Sequence, residues 1–418
     1  MNSLKQLLAI VALSLSTFSI ASAANDPAVV QRGAYLARAG DCMACHSAAG
    51  KAEYSGGLAI DSGHGIIYST NITPDKQHGI GNYTEQQFAD AMRKGVRADG
   101  THLYPAMPYP SYAKVSDEDV HALYAYFMDG VKPVATDPPA TRMSFPFNMR
   151  WGMALWNVFF ASDKPFRAQD GWSGEIRRGA YLVEGLGHCG SCHTPRGFAM
   201  NEKAGDSSDA QFLAGGELNG WAVPSLRGMP RWSADDIVAY LQTGRNKTSS
   251  VAGEMSMVVE HSTSHLKDED LKAIAAYLKT LTQVPPRSSG IKPQGRDETI
   301  RKLTAAKDLT LGERLYLDNC AACHFVTGKG AGGIFPELDG ASVINAGNPG
   351  ALVHVILQGA RTPSTEKAPS ILVMPGFAHR LSDSEVAELA TFLRQGWSNQ
   401  AEAVTERDVS KLRAKAEK

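Results

Sequence analysis

The stretch Arg32-Gly33-Ala34-Tyr35-Leu36-Ala37-Arg38-Ala39-Gly40-Asp41-Cys42-Met43-Ala44-Cys45-His46 decides how this chain is read. It sets a short helical pattern directly ahead of a Cys-x-x-Cys-His group, and both features recur. Arg178-Gly179-Ala180-Tyr181-Leu182 precedes Cys189, Cys192 and His193. The looser Gly312-Glu313-Arg314-Leu315-Tyr316 precedes Cys320, Cys323 and His324. Such an internal repeat constrains the architecture before any single element is considered.

Downstream of each group the same order returns. Thr84-Glu85-Gln86-Gln87 is a capping box opening a helix that stops at Gly95. Ser233 opens one that stops at Gly244, and Asn348-Pro349 opens one that stops at Gly359. The cap-to-glycine distance is 11 residues in all three, and a methionine follows 12, 11 and 15 residues later. A closing helix then starts at Ser116, Asp268 or Ser382, with apolar residues at helical spacing. Tyr126, Tyr277 and Phe392 on these helices are placed to meet the leading helix, whose Gly33, Gly179 or Gly312 permits a close crossing.

All six cysteines lie in the three groups, so none remains for a disulfide framework. Two thiols at this separation suit addition to the two vinyl groups of a porphyrin, and the following His suits the iron. One copy would also fit a thioredoxin-like redox pair or half a zinc site. Three copies leave those readings little room. The expectation is three covalently bound haem c groups, with His46, His193 and His324 on the proximal side. A sulfur ligand opposite would give a closed, high-potential site. Met107, Met255 and Met374 stand in the matching positions, with Met257 competing with Met255. The bland reading of each is a core-filling methionine.

The predicted fold is all-α: three tandem class I cytochrome c domains with few strands. Residues 24–135 form the first, 173–283 the second and 301–397 the third. A Pro-rich, then aromatic linker runs over 136–172, a polar connector over 284–300, and a polar tail over 398–418. Residues 1–23 read as a cleaved secretory signal: Lys5, an apolar run from Leu7 to Ile20, and Ala21-Ser22-Ala23. That run is too short for a membrane span, and no later segment is long and apolar enough to cross one. With 418 residues, 43% hydrophobic content and a formal charge of −1, the chain is globular, with no basic surface that would suggest nucleic acid.

Three stretches carry a family resemblance: Ile67-Tyr68-Ser69-Thr70-Asn71-Ile72-Thr73-Pro74-Asp75, Leu103-Tyr104-Pro105-Ala106-Met107-Pro108-Tyr109-Pro110, and Gly187-His188-Cys189-Gly190-Ser191-Cys192-His193-Thr194-Pro195-Arg196. The chain resembles the three-haem cytochrome c subunits of bacterial membrane-bound sugar, sugar-acid and alcohol dehydrogenases, from about Gln31 to Leu412. The resemblance implies a separate catalytic subunit holding FAD or pyrroloquinoline quinone (PQQ), electron delivery to ubiquinone, and a place on the periplasmic face of the membrane. It implies Met107, Met255 and Met374 as distal ligands. The nearest likeness is to the gluconate 2-dehydrogenase cytochrome. The chain is somewhat short, with a trimmed first linker and tail.

The expected role is that of a wire, with no substrate-oxidising site in this chain. A peroxidase-type haem enzyme is one rival, and carbon monoxide binding to reduced iron separates it. A cytochrome serving a terminal oxidase or soluble acceptor is another. His64, His78, His102, His121, His188, His261, His265, His354 and His379 read as surface or hydrogen-bonded residues. Arg196 could pair with a haem propionate or be solvated. The run from Phe145 to Phe160 suits either inter-domain packing or contact with a membrane or partner.

Overall fold

In the computed structural model, residues 25–283 and 290–416 are described. The secretory-signal reading of residues 1–23 lies outside them, as does a stretch of the 284–300 connector. The chain is mostly helical.

Three times, a leading helix crosses a closing helix: Pro27–Ala39 over Asp117–Ala125, Gly174–Tyr181 over Asp268–Thr280, and Leu311–Asn319 over Asp383–Gln395. The glycines explain the crossings. A Cβ at Gly33 would stand 1.9 Å from the Ala122 carbonyl oxygen, at Gly179 1.9 Å from that of Ala273, and at Gly312 2.4 Å from that of Glu388. The next nearest side chains are Tyr126, Tyr277 and Phe392, the three aromatics expected at these positions. Backbone thus packs on backbone, as only glycine allows.

The middle helices run over Glu85–Lys94, Ala234–Thr243 and Gly350–Gln358. Capping boxes form at Thr84, Ser233 and Ser382, and Gly95, Gly244 and Gly359 terminate the middle helices with positive φ. Asp268 is not a cap. Lys267 holds that position, and its N–H donates to the Tyr35 hydroxyl at 3.2 Å, so a neighbouring unit serves the helix end. Asp268 instead accepts from Gln242 and pairs with Lys367.

The predicted linker 136–172 does not separate the first core from the second. One continuous apolar cluster joins Leu36, Leu123 and Phe127 of the first unit to Leu182, Leu271 and Tyr277 of the second. Another cluster around Tyr316, Leu389 and Trp397 belongs to the third unit and takes in Val404 and Val409 of the tail. The polar tail is therefore built into the third core, ending in the helix Glu406–Ala416.

Short strands are more numerous than expected. Ala59–Asp61, Gly65–Tyr68 and Arg142–Met143 form an antiparallel sheet, so the first linker contributes its edge strand. Gly216–Leu218 pairs with Trp221–Val223, and Ala360–Arg361 with Val373–Met374. Among the described residues no helix is long and apolar enough to cross a membrane.

Candidate functional site

Each Cys-x-x-Cys-His group sits at the end of its leading helix, on a turn of helix over Cys42–His46, Gly190–His193 and Ala321–His324. One helical turn brings the two thiols and the imidazole to one side of the chain. All six thiols are free. Burial pushes those of Cys42, Cys45, Cys189 and Cys320 up to about 12, and that of Cys192 to about 11. Neutral, dry thiols suit thioether formation and oppose the thiolate chemistry of a redox pair or a zinc site. Among the described residues no group of three or more His, Cys, Asp or Glu side chains converges on a metal position.

The three histidines share one further contact, which the motif alone did not disclose. Nδ1 of His46 lies 2.7 Å from the Thr70 carbonyl, Nδ1 of His193 lies 2.7 Å from that of Pro224, and Nδ1 of His324 lies 2.9 Å from that of Pro336. A carbonyl accepts only, so Nδ1 carries the proton and Nε2 keeps its lone pair for a metal. Burial pushes all three imidazoles below the ordinary range and the carbonyl partly opposes this, so each ring is neutral and able to ligate.

The short strands explain how the carbonyls get there. Thr70 follows the strand ending at Tyr68, Pro224 follows the strand ending at Val223, and Pro336 follows the bridge between Ala331 and Phe335. A glycine completes each loop: Gly56, Gly215 and Gly330 donate N–H to the carbonyls of His46, His193 and His324 at 2.7, 2.8 and 3.2 Å. All three have positive φ, and a Cβ would press on backbone atoms within 3 Å. Strands this short carry no readable alternation, so only the glycine content of the loops was legible.

The candidate distal methionines occupy three settings. Met107 packs on the first core, between the Gly95 stop and the turn Tyr109–Tyr112. Met374 lies on the strand Val373–Met374 and packs on the core of the third unit. Met255 opens the helix Met255–His261, with Met257 one half-turn further along the same helix. All four are partly buried. The donor set fits haem c: paired thiols, of which only that of Cys323 is exposed, and an oriented imidazole, three times over, with a partly buried methionine downstream of each.

Arg196 is partly buried and turned to the backbone. Its guanidinium donates to the carbonyls of Met200 and Ser191, closing the loop after the second group. Of the other histidines, His78 and His121 pair with Asp137 and Glu85, and His265 meets a backbone carbonyl. His354 departs from the surface reading, being buried and stacked on Trp221 at 5.1 Å between the second and third units.

The helix Trp151–Phe160 buries none of its residues. It bridges the first two units from outside, since Asn157 accepts from Tyr109 and donates to the Lys94 carbonyl while Trp156 donates to Ala199. Its other face, Trp151, Leu155, Val158 and Phe159, is 56–77% exposed. The inter-domain reading holds for the bridge; core packing does not.

Helical units built around Cys-x-x-Cys-His turns with an oriented imidazole define a c-type cytochrome. Sequence comparison agrees. The cytochrome c family model matches residues 30–130 and 309–397, and that of the cbb3-type cytochrome c oxidase subunit III matches residues 174–278. The chain is 46% identical to the alcohol dehydrogenase (quinone) cytochrome c subunit of Gluconobacter oxydans, over 98% of this chain and 87% of that one. It is 45% identical to the gluconate 2-dehydrogenase cytochrome c subunit of Pantoea cypripedii, over 97% and 94%. It is 37% identical to the fructose dehydrogenase cytochrome subunit of Gluconobacter japonicus, over 94% and 84%. The chain belongs to the family of cytochrome c subunits of alcohol, gluconate 2- and fructose dehydrogenases.

Proposed function

We propose that this chain is a three-haem electron-transfer subunit, built of three class I cytochrome c units, the first two sharing one apolar core and the third including the tail. It serves a periplasm-facing dehydrogenase that oxidises a sugar, sugar acid or alcohol, gluconate foremost. The observation that carries this reading is the thrice-repeated turn bearing two thiols, all but that of Cys323 at least partly buried, and an imidazole whose Nδ1 is tied to a carbonyl. Cys42 and Cys45, Cys189 and Cys192, and Cys320 and Cys323 would hold the haems, with His46, His193 and His324 as proximal ligands. Met107, Met255 and Met374 would be the distal ones. When bound, each haem supplies a reversible one-electron couple, which suits passage from the FAD or PQQ of a catalytic partner to ubiquinone. The chain's own role is to hold each imidazole neutral and aimed, to keep water from the site, and to keep the cofactor attached in both oxidation states.

Membrane association is assigned to the exposed face of Trp151–Phe160, extended by Phe145 and Phe198, which are 77% and 97% exposed. Between Arg142 and Arg167 the sequence carries four basic residues (Arg142, Arg150, Lys164, Arg167) and one acidic, Asp163. An exposed aromatic face within a stretch of net positive charge suits the surface of an anionic bilayer. Leu155→Glu combined with Phe159→Glu is expected to release the chain from anionic vesicles; retention at wild-type level would remove this assignment.

The test of function is co-purification from membranes followed by a substrate screen. Added gluconate or a related substrate is expected to reduce the haems of the complex, with quinone reoxidising them. Three haems per chain by pyridine haemochrome, with no spectral shift of the reduced protein under carbon monoxide, are expected. A carbon monoxide shift would favour an open haem and an enzymatic role.

A further inference from the structure

The first two units are joined by a contact that appears twice with the partners exchanged. In the first unit Arg32 pairs with Asp119, and the hydroxyl that also reaches Asp119, at 2.6 Å, belongs to Tyr181 of the second. In the second unit Arg178 grips Asp270 with two bonds of 2.7 Å, and the hydroxyl that reaches Asp270, again at 2.6 Å, belongs to Tyr35 of the first. Each hydroxyl also accepts an N–H from the capping residue of the other unit's closing helix, Ser116 at 3.1 Å and Lys267 at 3.2 Å. Both aspartates are buried. The two units are therefore related as if by a two-fold axis, with each tyrosine reaching across it.

The third unit lacks every element of this arrangement. Counted from the crossing glycines, Leu311 stands where Arg32 and Arg178 stand, and Arg314 where Tyr35 and Tyr181 stand. Glu385 replaces the aspartate and turns back to its own helix cap at Ser382. The clamp therefore belongs to one pair of units and not to the repeat as such.

The leading helices that carry the tyrosines lead to the haem-attachment turns, and segments beside those turns also meet across the axis. The helix Met255–His261 of the second unit packs on Cys42–His46 of the first, and the turn Tyr109–Tyr112 of the first packs on Leu182–Leu186 of the second. Arg38 donates to the His261 carbonyl, and Tyr112 meets His188 edge to face at 5.6 Å.

We propose that Tyr35 and Tyr181 are positioning residues that lock the first two haem sites into a close pair of fixed separation, leaving the third site outside the pair. This rests on the haem reading given above. A paired arrangement supplies a two-electron store next to a single-electron outlet, the arithmetic a two-electron donor requires.

The test uses the full haem-loaded chain and the double variant Tyr35→Phe, Tyr181→Phe, which removes only two hydroxyl groups. Haem per chain is measured first, so that fewer than three in the wild type counts against the haem reading itself. In the wild type a Soret circular-dichroism couplet and spin coupling between two ferric haems are expected. In the double variant, at full haem content, the couplet is expected to be lost and the interaction between the two potentials reduced, with the third potential unmoved. Arg314→Ala in the third unit is expected to change none of these. A couplet unaltered in the double variant, or absent from the wild type, overturns the proposal. Should the double variant not accumulate, Tyr35→Phe alone is read the same way.

Discussion

At the residue scale the chemistry rests on what each side chain is left free to do. His46, His193 and His324 each give Nδ1 to a carbonyl, so a single ring nitrogen faces outward. The distal side is tested at Met255, which opens its helix, against Met257 on the same helix. Met255→Leu is expected to remove one of three contributions to the near-infrared sulfur-to-ferric band, and Met257→Leu to leave the band intact; the reverse would exchange their roles. Asp270 offers a pH test. Burial works to raise its carboxyl, but the bonds from Arg178 and Tyr35, with Arg178 and Lys267 charges nearby, hold it below the usual aspartate value. A carboxyl depressed in the folded state adds stability that is complete above about pH 4 and is lost as pH falls through the lower folded value. The gap in thermal midpoint between wild type and Asp270→Asn is thus expected to be constant near neutrality and to close in acid. A gap that widens in acid would contradict the assignment.

At the scale of elements, the helix crossings are the sharpest constraint. A Cβ at Gly179 would overlap the Ala273 carbonyl, and neither backbone can move without prising the helices apart. Overpacking of this kind costs about 1–3 kcal/mol or more. Gly179→Ala and Gly33→Ala are expected to lower the unfolding midpoint and the haem content together. Gly152 supplies the control, since it sits on the exposed helix with nothing within 4 Å. Gly152→Ala is expected to be neutral or to stabilise by about 0.5–1 kcal/mol through helix propensity. Scanning calorimetry with haemochrome assays distinguishes the two outcomes. The glycines, caps and crossing aromatics were legible because helical spacing and capping are local rules. The short strands that lead to Thr70 and Pro224 were not, because three or four residues give no period to read.

At the scale of the molecule, the apolar core divides the chain into two bodies, not three. The first and second units share one cluster, and the third has its own. The junction of the second and third units is held by the Trp221–His354 stack, by the pairs Lys367–Asp268 and Arg231–Glu337, and by backbone bonds from Gly333 to Asn246 and from Glu337 to Thr248. Exposed pairs of that kind contribute about 0–1 kcal/mol each. Calorimetry of the intact chain is therefore expected to show two transitions, residues 25–283 melting together and the third unit separately. A fragment covering residues 291–418 is expected to fold with one haem. Three independent transitions would contradict a shared core.

The attachment groups, the order of helices around them and the glycines at their crossings could be read from the chain alone, since each depends on neighbours a few residues apart. Folding in three dimensions set which carbonyl orients each imidazole, left an open face on the aromatic linker helix, and carried two tyrosines across between units. Those contacts join residues separated by tens to hundreds of positions, and no local periodicity records which distant surfaces will meet.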